Sequence, residues 1–276
     1  MSFSQVMRHD FPEEVPRPGP LVALRERIRH IEQPASHGVL PFGVAAIDRA
    51  LPGGGLALGA VHEILGIDDE EDGAAACGFI AGLLARLRMG PVLWCLKRPD
   101  LYGPGLLTHG LDPARLVIVT APRDEDILWA IEEGLRAPGL VAVIGEIGRL
   151  PLVAGRRLQL GAERSGITAF LLRRWRNSEE AARERERPSA AVTRWRIAAL
   201  PARDIDDPRL RQLIGQPRWR VELLRCRGGM RAGWDMEVAD ATGHVRLSPE
   251  LADRPAAAVD RKEGRLAAEP LQRRTG

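Results

Sequence analysis

The chemistry open to this sequence sits in a few clusters of charged and aromatic residues. Gly66 and Ile67 lead into five consecutive acids, Asp68 to Asp72, closed by Gly73. Carboxylates at that density can hold Mg2+ or Ca2+, but the run lacks the Asp-x-Asp-x-Asp-Gly ladder of a calcium loop. A solvated acidic loop is the simpler expectation, and no metal site is assigned. Lys97, Arg98 and Pro99 follow an apolar run; Lys97 could bind a phosphate or sit exposed at a strand end. Arg173, Arg174, Trp175 and Arg176 combine guanidinium forks that grip phosphates with a ring that can stack on an unpaired base. They are the candidate contact to single-stranded DNA. Glu179, Glu180, Glu184 and Glu186 offset their charge, and a solvated arm or short salt-bridged helix explains the run as well. In two triplets, Arg194-Trp195-Arg196 and Arg218-Trp219-Arg220, strand spacing puts both arginines on one face and the tryptophan on the other. Tryptophan in the core and arginine in water accounts for them; on neighbouring strands they would form a basic stripe.

Composition narrows the class. Cys77, Cys95 and Cys226 have no paired spacing and read as reduced core thiols of a cytoplasmic protein, not a disulfide or zinc framework. A net charge of +3 and a pI near 9.1 permit a nucleic-acid partner without requiring one. Lys97 and Lys262 are the only lysines, an arginine bias that a GC-rich coding sequence produces without functional content. No run of about 18 uncharged apolar residues exists, so no membrane span is expected. The acids near the N-terminus argue against a secretory signal.

These clusters must be positioned by an alternation of short apolar runs and helical segments. Strands are expected at 61–65, 91–96, 116–120, 140–145 and 166–172, with helices over 74–89, 124–136 and 151–164 between them. Continuous apolar strands separated by helices predict a parallel sheet covered on both faces. Residues 173–190 are charged and apolar-poor and read as a mobile loop. Beyond them, 193–200, 218–227, 233–238 and 244–247 alternate at strand spacing and predict an antiparallel extension. Ahead of the core, Leu21, Leu24, Ile28 and Ile31 share one helical stripe, a candidate partner contact. The expected organisation is an N-terminal arm over 1–36, a core over 37–250 and a disordered tail over 251–276.

The segment LPFGVAAIDRALPGGGLALGAVHEILG (40–66) resembles the start of a RecA core, and the order of elements after it, to about residue 247, is similar too. The fold class this implies is a RecA-like, doubly wound α/β domain whose mainly parallel sheet ends in antiparallel strands. A working phosphate loop reads G-x-x-x-x-G-K-[ST], its lysine neutralising phosphate oxygens and its hydroxyl holding Mg2+. Here the lysine position falls on or near Asp72, between Gly66 and Gly73, and no lysine occurs between Gly66 and Lys97. By the same resemblance, Lys97-Arg98-Pro99 replaces the glutamate that activates water. Gly145 replaces the acid ending the 140–145 strand, and Glu146, one residue on, is expected to point to the wrong face. The resemblance therefore implies a degenerate nucleotide site, no bound cofactor and no ATP hydrolysis. It also maps Arg173 to Arg176 onto a DNA-binding loop and 156–160 onto the start of another.

Within that superfamily, LPFGVAAIDRALPGGGL, LWCLKRPDLYGPGL, GLDPARLVIV, VAVIGEIGRLPL and RRLQLGAERSGITAFLLRRW are similar to the ImuA family. The resemblance implies a non-enzymatic, cytoplasmic adaptor in the SOS response. It would act in translesion DNA synthesis with an ImuB-like inactive Y-family polymerase subunit and an error-prone C-family polymerase. RecA and single-stranded DNA are further candidate partners. Two other classes remain open: a SulA-like inhibitor of cell division and a nucleotide-dependent RecA-type DNA-binding protein.

Overall fold

The computed structural model describes residues 37–66, 69–87, 89–175, 178–201, 217–238 and 240–248. The stripe Leu21, Leu24, Ile28 and Ile31, together with Arg176 and the C-terminal tail, lies outside the described residues.

The described chain opens with two short antiparallel strands, β1 (Val39–Leu40) and β2 (Leu56–Ala57). Between them come one turn of helix, α1 (Ala45–Asp48), and a 3-10 turn, Pro52–Gly54. Asp48 reaches back to accept from the N–H groups of Phe42 at 2.6 Å and Gly43 at 3.0 Å. Gly53 and Gly54 take φ of 72° and 79°, a left-handed pair that side-chain-bearing residues resist. This hairpin seats Phe42 in the core, where its ring lies 6.1 Å from Phe79 and 5.6 Å from Trp195.

Among the described residues, the main sheet has nine strands: β3 (Val61–Gly66), β4 (Val92–Leu96), β5 (Leu116–Thr120), β6 (Ala142–Ile147), β7 (Thr168–Arg173), β8 (Thr193–Leu200), β9 (Arg218–Cys226), β10 (Ala232–Glu237) and β11 (Arg246–Leu247). Their order is β11-β10-β9-β8-β3-β7-β6-β4-β5. From β5 to β8 every pairing is parallel, and from β8 to β11 every pairing is antiparallel. This is the mainly parallel α/β sheet with antiparallel C-terminal strands that the apolar pattern predicts.

Helix α2 (Asp69–Ala85) and the short α3 (Gly103–Leu107) cover one face, packing on Ile64, Trp94, Ile144, Phe170 and Trp195. Helices α4 (Asp124–Gly134) and α5 (Leu152–Ser165) cover the other, over Val61, Leu93, Val143, Ala169 and Leu171. Both helices are amphipathic, so their polar faces point away from the sheet.

Three boundaries differ from expectation. Helix α2 begins at Asp69, so the backbone of the acidic run is the first turn of a helix and not a loop. Acids there meet the positive end of the helix dipole, which favours an early start. Strand β6 runs over 142–147, which brings Gly145 and Glu146 inside it. Residues Ser178–Arg185, read as a mobile loop with a short salt-bridged helix as the alternative, form that helix, α6.

His62 and Thr193 join neighbouring strands through a buried relay. The Trp195 indole N–H donates to Thr193 Oγ1 at 2.7 Å, and that hydroxyl lies 2.7 Å from His62 Nδ1. His62 Nε2 is 2.8 Å from the Ala57 carbonyl. Burial pulls the His62 pKa down to about 4, against that backbone bond, so the ring is a neutral structural bridge at pH 7. Trp195 thus contributes both packing and a satisfied donor. Trp195→Ala is expected to cost about 3–5 kcal/mol of unfolding free energy. Urea denaturation checks this by a lower midpoint at nearly unchanged slope.

Candidate functional site

The carboxyl ends of β4, β6 and β7 gather the charged residues that the sequence singles out. Strand alternation decides which of them share a face. Ala142 and Ile144 pack on the α2 side, while Val143 and Ile147 pack on the α4 side. Gly145 therefore faces α4, where an added Cβ would sit 2.1 Å from Ile131 Cδ1. No acid fits there without displacing the Ile131 side chain. Glu146 faces α2 instead, which corrects the expectation that it points to the wrong face.

Glu146 is buried, and it accepts from Arg174 Nη1 at 3.2 Å and from the Lys97 N–H at 3.3 Å. Burial raises its pKa despite these donors. Arg174 also grips Asp100, at 2.9 and 3.1 Å. Burial works against the Arg174 charge, but the two carboxylates outweigh it and raise its pKa. The Arg174 Nη2 atom comes within 4.0 Å of where a Gly73 Cβ would be. An arginine from β7's end thus lies against the start of α2, where a phosphate loop would bring its lysine. The side chains of the acids in α2's first turn lie outside the described residues.

Lys97 pairs with Asp124 at 2.8 Å. Asp124 in turn accepts from the N–H groups of Gly148 at 3.0 Å and Arg149 at 2.9 Å, pinning the β6–α5 loop. Burial opposes its ionisation, but Lys97 and the two N–H groups prevail and hold its carboxyl below the ordinary range.

Arg173 lies on the opposite face of the sheet from Glu146 and is buried. It bonds to Glu63 at 3.3 Å, Glu184 at 3.1 Å and the Gly148 carbonyl at 2.7 Å. Arg194 joins Glu63 at 2.9 Å and donates to the carbonyls of Arg185 and Arg187. Ser189 donates to the other Glu63 oxygen. The Trp175 indole N–H donates to the Gly148 carbonyl at 2.9 Å, and the guanidinium carbons of Arg173 and Arg185 each lie 5.5 Å from its ring. Of the four residues singled out for DNA, Arg173, Arg174 and Trp175 all make contacts inside the protein. The stretch 156–160 is interior to helix α5 and is not a loop.

The two tryptophan triplets do fall on neighbouring strands. Trp195 and Trp219 are buried in the core, as the simpler reading has it. Their arginines share the other face with acids: Arg196 pairs with Glu222, and Arg220 with Asp235 at 2.8 Å. The stripe is therefore of mixed charge. Among the described residues, no group of three or more His, Cys, Asp or Glu side chains could hold a metal ion. Burial pushes the thiols of Cys77 and Cys95 up to about 12 and that of Cys226 to about 11, so none is a thiolate at neutral pH.

No protein-family model matches the chain. In two strains of Caulobacter vibrioides, a protein named Protein ImuA is 40% identical to it over 232 residues, which is 80% of this chain and 93% of that protein. The chain belongs to the ImuA family.

The residues of this ImuA-family chain that motif reasoning misses are Glu63, Asp124 and Ser189; Glu184, read only as offsetting nearby arginines, is buried against Arg173. Glu63 carries the one signal that could have exposed it: a carboxylate inside the apolar run VHEIL requires a buried cation. Removing it leaves Arg194 and part of Arg173 unpaired. Glu63→Ala is expected to destabilise the fold by about 3–5 kcal/mol, with faster proteolysis within 178–191, as chemical denaturation and limited digestion will show. A second expectation concerns pH. The Asp124 pKa is lowered on folding, so its contribution is present above the ordinary value of 3.8 and is lost as pH falls through the folded pKa. The stability gap between the wild type and Asp124→Asn is full at neutral pH and closes below that value in a pH series of urea melts.

Proposed function

We propose that the chain is a non-catalytic, RecA-like adaptor in damage-induced mutagenesis. In this reading it bridges an inactive Y-family-like polymerase subunit and an error-prone C-family polymerase during translesion synthesis in the SOS response. Membership of the ImuA family supports the broad role. The observation that carries the non-catalytic part is the placement of Arg174. Hydrolysis needs a cation held free for the β- and γ-phosphates, a hydroxyl for Mg2+ and a carboxylate free to orient water. Here the cation beside α2 is already bound to Glu146 and Asp100. Glu146, the acid on the correct face, is neutralised by that same arginine. The position after β4 holds Lys97, itself tied to Asp124.

The reading is tested by pulling the tagged chain from DNA-damaged cells and by offering the pure protein ATP with Mg2+ and single-stranded DNA. The expected outcome is recovery of an inactive Y-family-like polymerase, with no turnover above a protein-free control. In a strain lacking the gene, damage-induced mutation falls towards the spontaneous level. DNA-stimulated hydrolysis would overturn the non-catalytic reading in favour of a working RecA-type protein. Recovery of the division GTPase alone, with filamentous cells on overproduction, would favour an inhibitor of division.

A further inference from the structure

Helices α4 and α5 lie side by side on the sheet and run in the same direction, since each leads from the carboxyl end of one parallel strand to the start of another. Two contacts set their register at the same offset. Asp124 accepts from the Arg149 N–H at 2.9 Å, and Glu132 accepts from Arg157 Nη2 at 2.5 Å, each 25 residues on. Their outer faces differ in character. On α4, Glu125, Trp129 and Glu133 point outward, with Trp129 66% exposed and Glu133 also pairing with Arg136 just beyond the helix end. On α5 and just before it, Arg149, Val153, Arg156, Leu160 and Arg164 point outward, with Val153 69% and Leu160 61% exposed. An exposed tryptophan beside two exposed aliphatic side chains is the composition of an interface centre.

The charge layout selects the occupant. One helix is acidic around an aromatic ring, its neighbour is basic around aliphatic side chains, and the two are level. We propose that this surface docks a second copy of the same chain, about a two-fold axis parallel to the helices and midway between them. That axis keeps height along the helix and exchanges α4 for α5. Glu125 then faces Arg149 of the second copy, Trp129 faces its Val153, and Glu133 faces its Arg156. Each contact is made twice, as in any isologous interface. An axis across the helices would set acid on acid. A purely acidic protein or a nucleic acid would match the arginines of α5 but would leave Trp129 and the α4 glutamates opposed.

Sedimentation equilibrium on the full chain provides the test, using two charge-reversed variants that change only exposed positions. One is Glu125→Arg with Glu133→Arg; the other is Arg149→Glu with Arg156→Glu. The wild type is expected to show a concentration-dependent dimer that weakens with salt. Each variant alone self-associates at least about tenfold more weakly, because like charges now face each other. Mixed in equal amounts, the two variants recover a dimer, because both α4–α5 contacts become complementary again. Trp129→Ala, which alters no charge, weakens the wild-type dimer. A wild type that stays monomeric at every concentration overturns the proposal, as does a mixture that fails to recover the dimer. Binding of nucleic acid in place of self-association would overturn it equally.

Discussion

One buried carboxylate orders the segment that lies over the ends of β3, β7 and β8. Glu63 sits without exposure on the central strand β3, where an unpaired charge would cost several kcal/mol in lost hydration. Its partners come from the strands on either side. Arg194 of β8 stands opposite it in the parallel ladder, and Arg173 is the last residue of β7. Because Arg173 has donors to spare, it also takes Glu184, which draws α6 down over the sheet. Arg194 then caps the carbonyls at the end of α6, and Arg225 and Arg227 hold the carbonyls of Ser189 and Ala190. A segment with almost no apolar residues is thus ordered by guanidinium groups reaching backbone oxygens. The same pull sets Trp175 against Gly148, which links this network to the loop that Asp124 pins.

This explains what could be read in the chain and what could not. Strands β5 and β8 form over LVIVT and TRWRIAAL as the run of β-formers suggests, and the antiparallel end follows from alternation at period two. Residues 173–175 and 178–190 defeat such reading because Arg173 and Ser189 are held by Glu63, 110 and 126 residues distant. Local propensity carries no trace of those pairs. Glu146 fails for a different reason. A strand buried on both faces has no polar alternation, so AVIG could not reveal whether Gly145 or Glu146 faces α2. The packing of the neighbouring residues decides it, with Ala142 and Ile144 on the α2 side, Val143 and Ile147 on the other, and Ile131 against Gly145. The start of α2 was legible in part, since acids suit a helix N-terminus, but the same acids suit a solvated loop.

The carboxyl ends of β4, β6 and β7 are closed by their own ion pairs. Without a cation beside them, Glu146 would be a buried, unpaired carboxylate and Asp100 a second negative charge close by. Arg174 resolves both at once from β7's end. Its position beside Gly73 follows from that demand, because a guanidinium must lie between the two acids it serves. An ion arrangement of this kind is self-sufficient: opening it to admit a polyphosphate would bring more negative charge towards two carboxylates while removing the arginine they share. At an effective dielectric of about 20, one such like-charge contact at about 4 Å costs on the order of 4 kcal/mol.

The basicity of the chain has to be read in the same light. Arg173, Arg174 and Arg194 make ion pairs with acids, and Arg225 and Arg227 donate to backbone carbonyls. A net charge of +3 therefore says little about affinity for nucleic acid, which scales with the arginines able to displace counterions at phosphates. The arginines that do stand outward in order, Arg149, Arg156 and Arg164, alternate with Val153 and Leu160 along one side of α5. Phosphate binding gains nothing from those aliphatic side chains, whereas a protein surface gains from covering them. An alternation of that kind, next to a helix with an exposed tryptophan between glutamates, carries the chemistry of protein–protein contact.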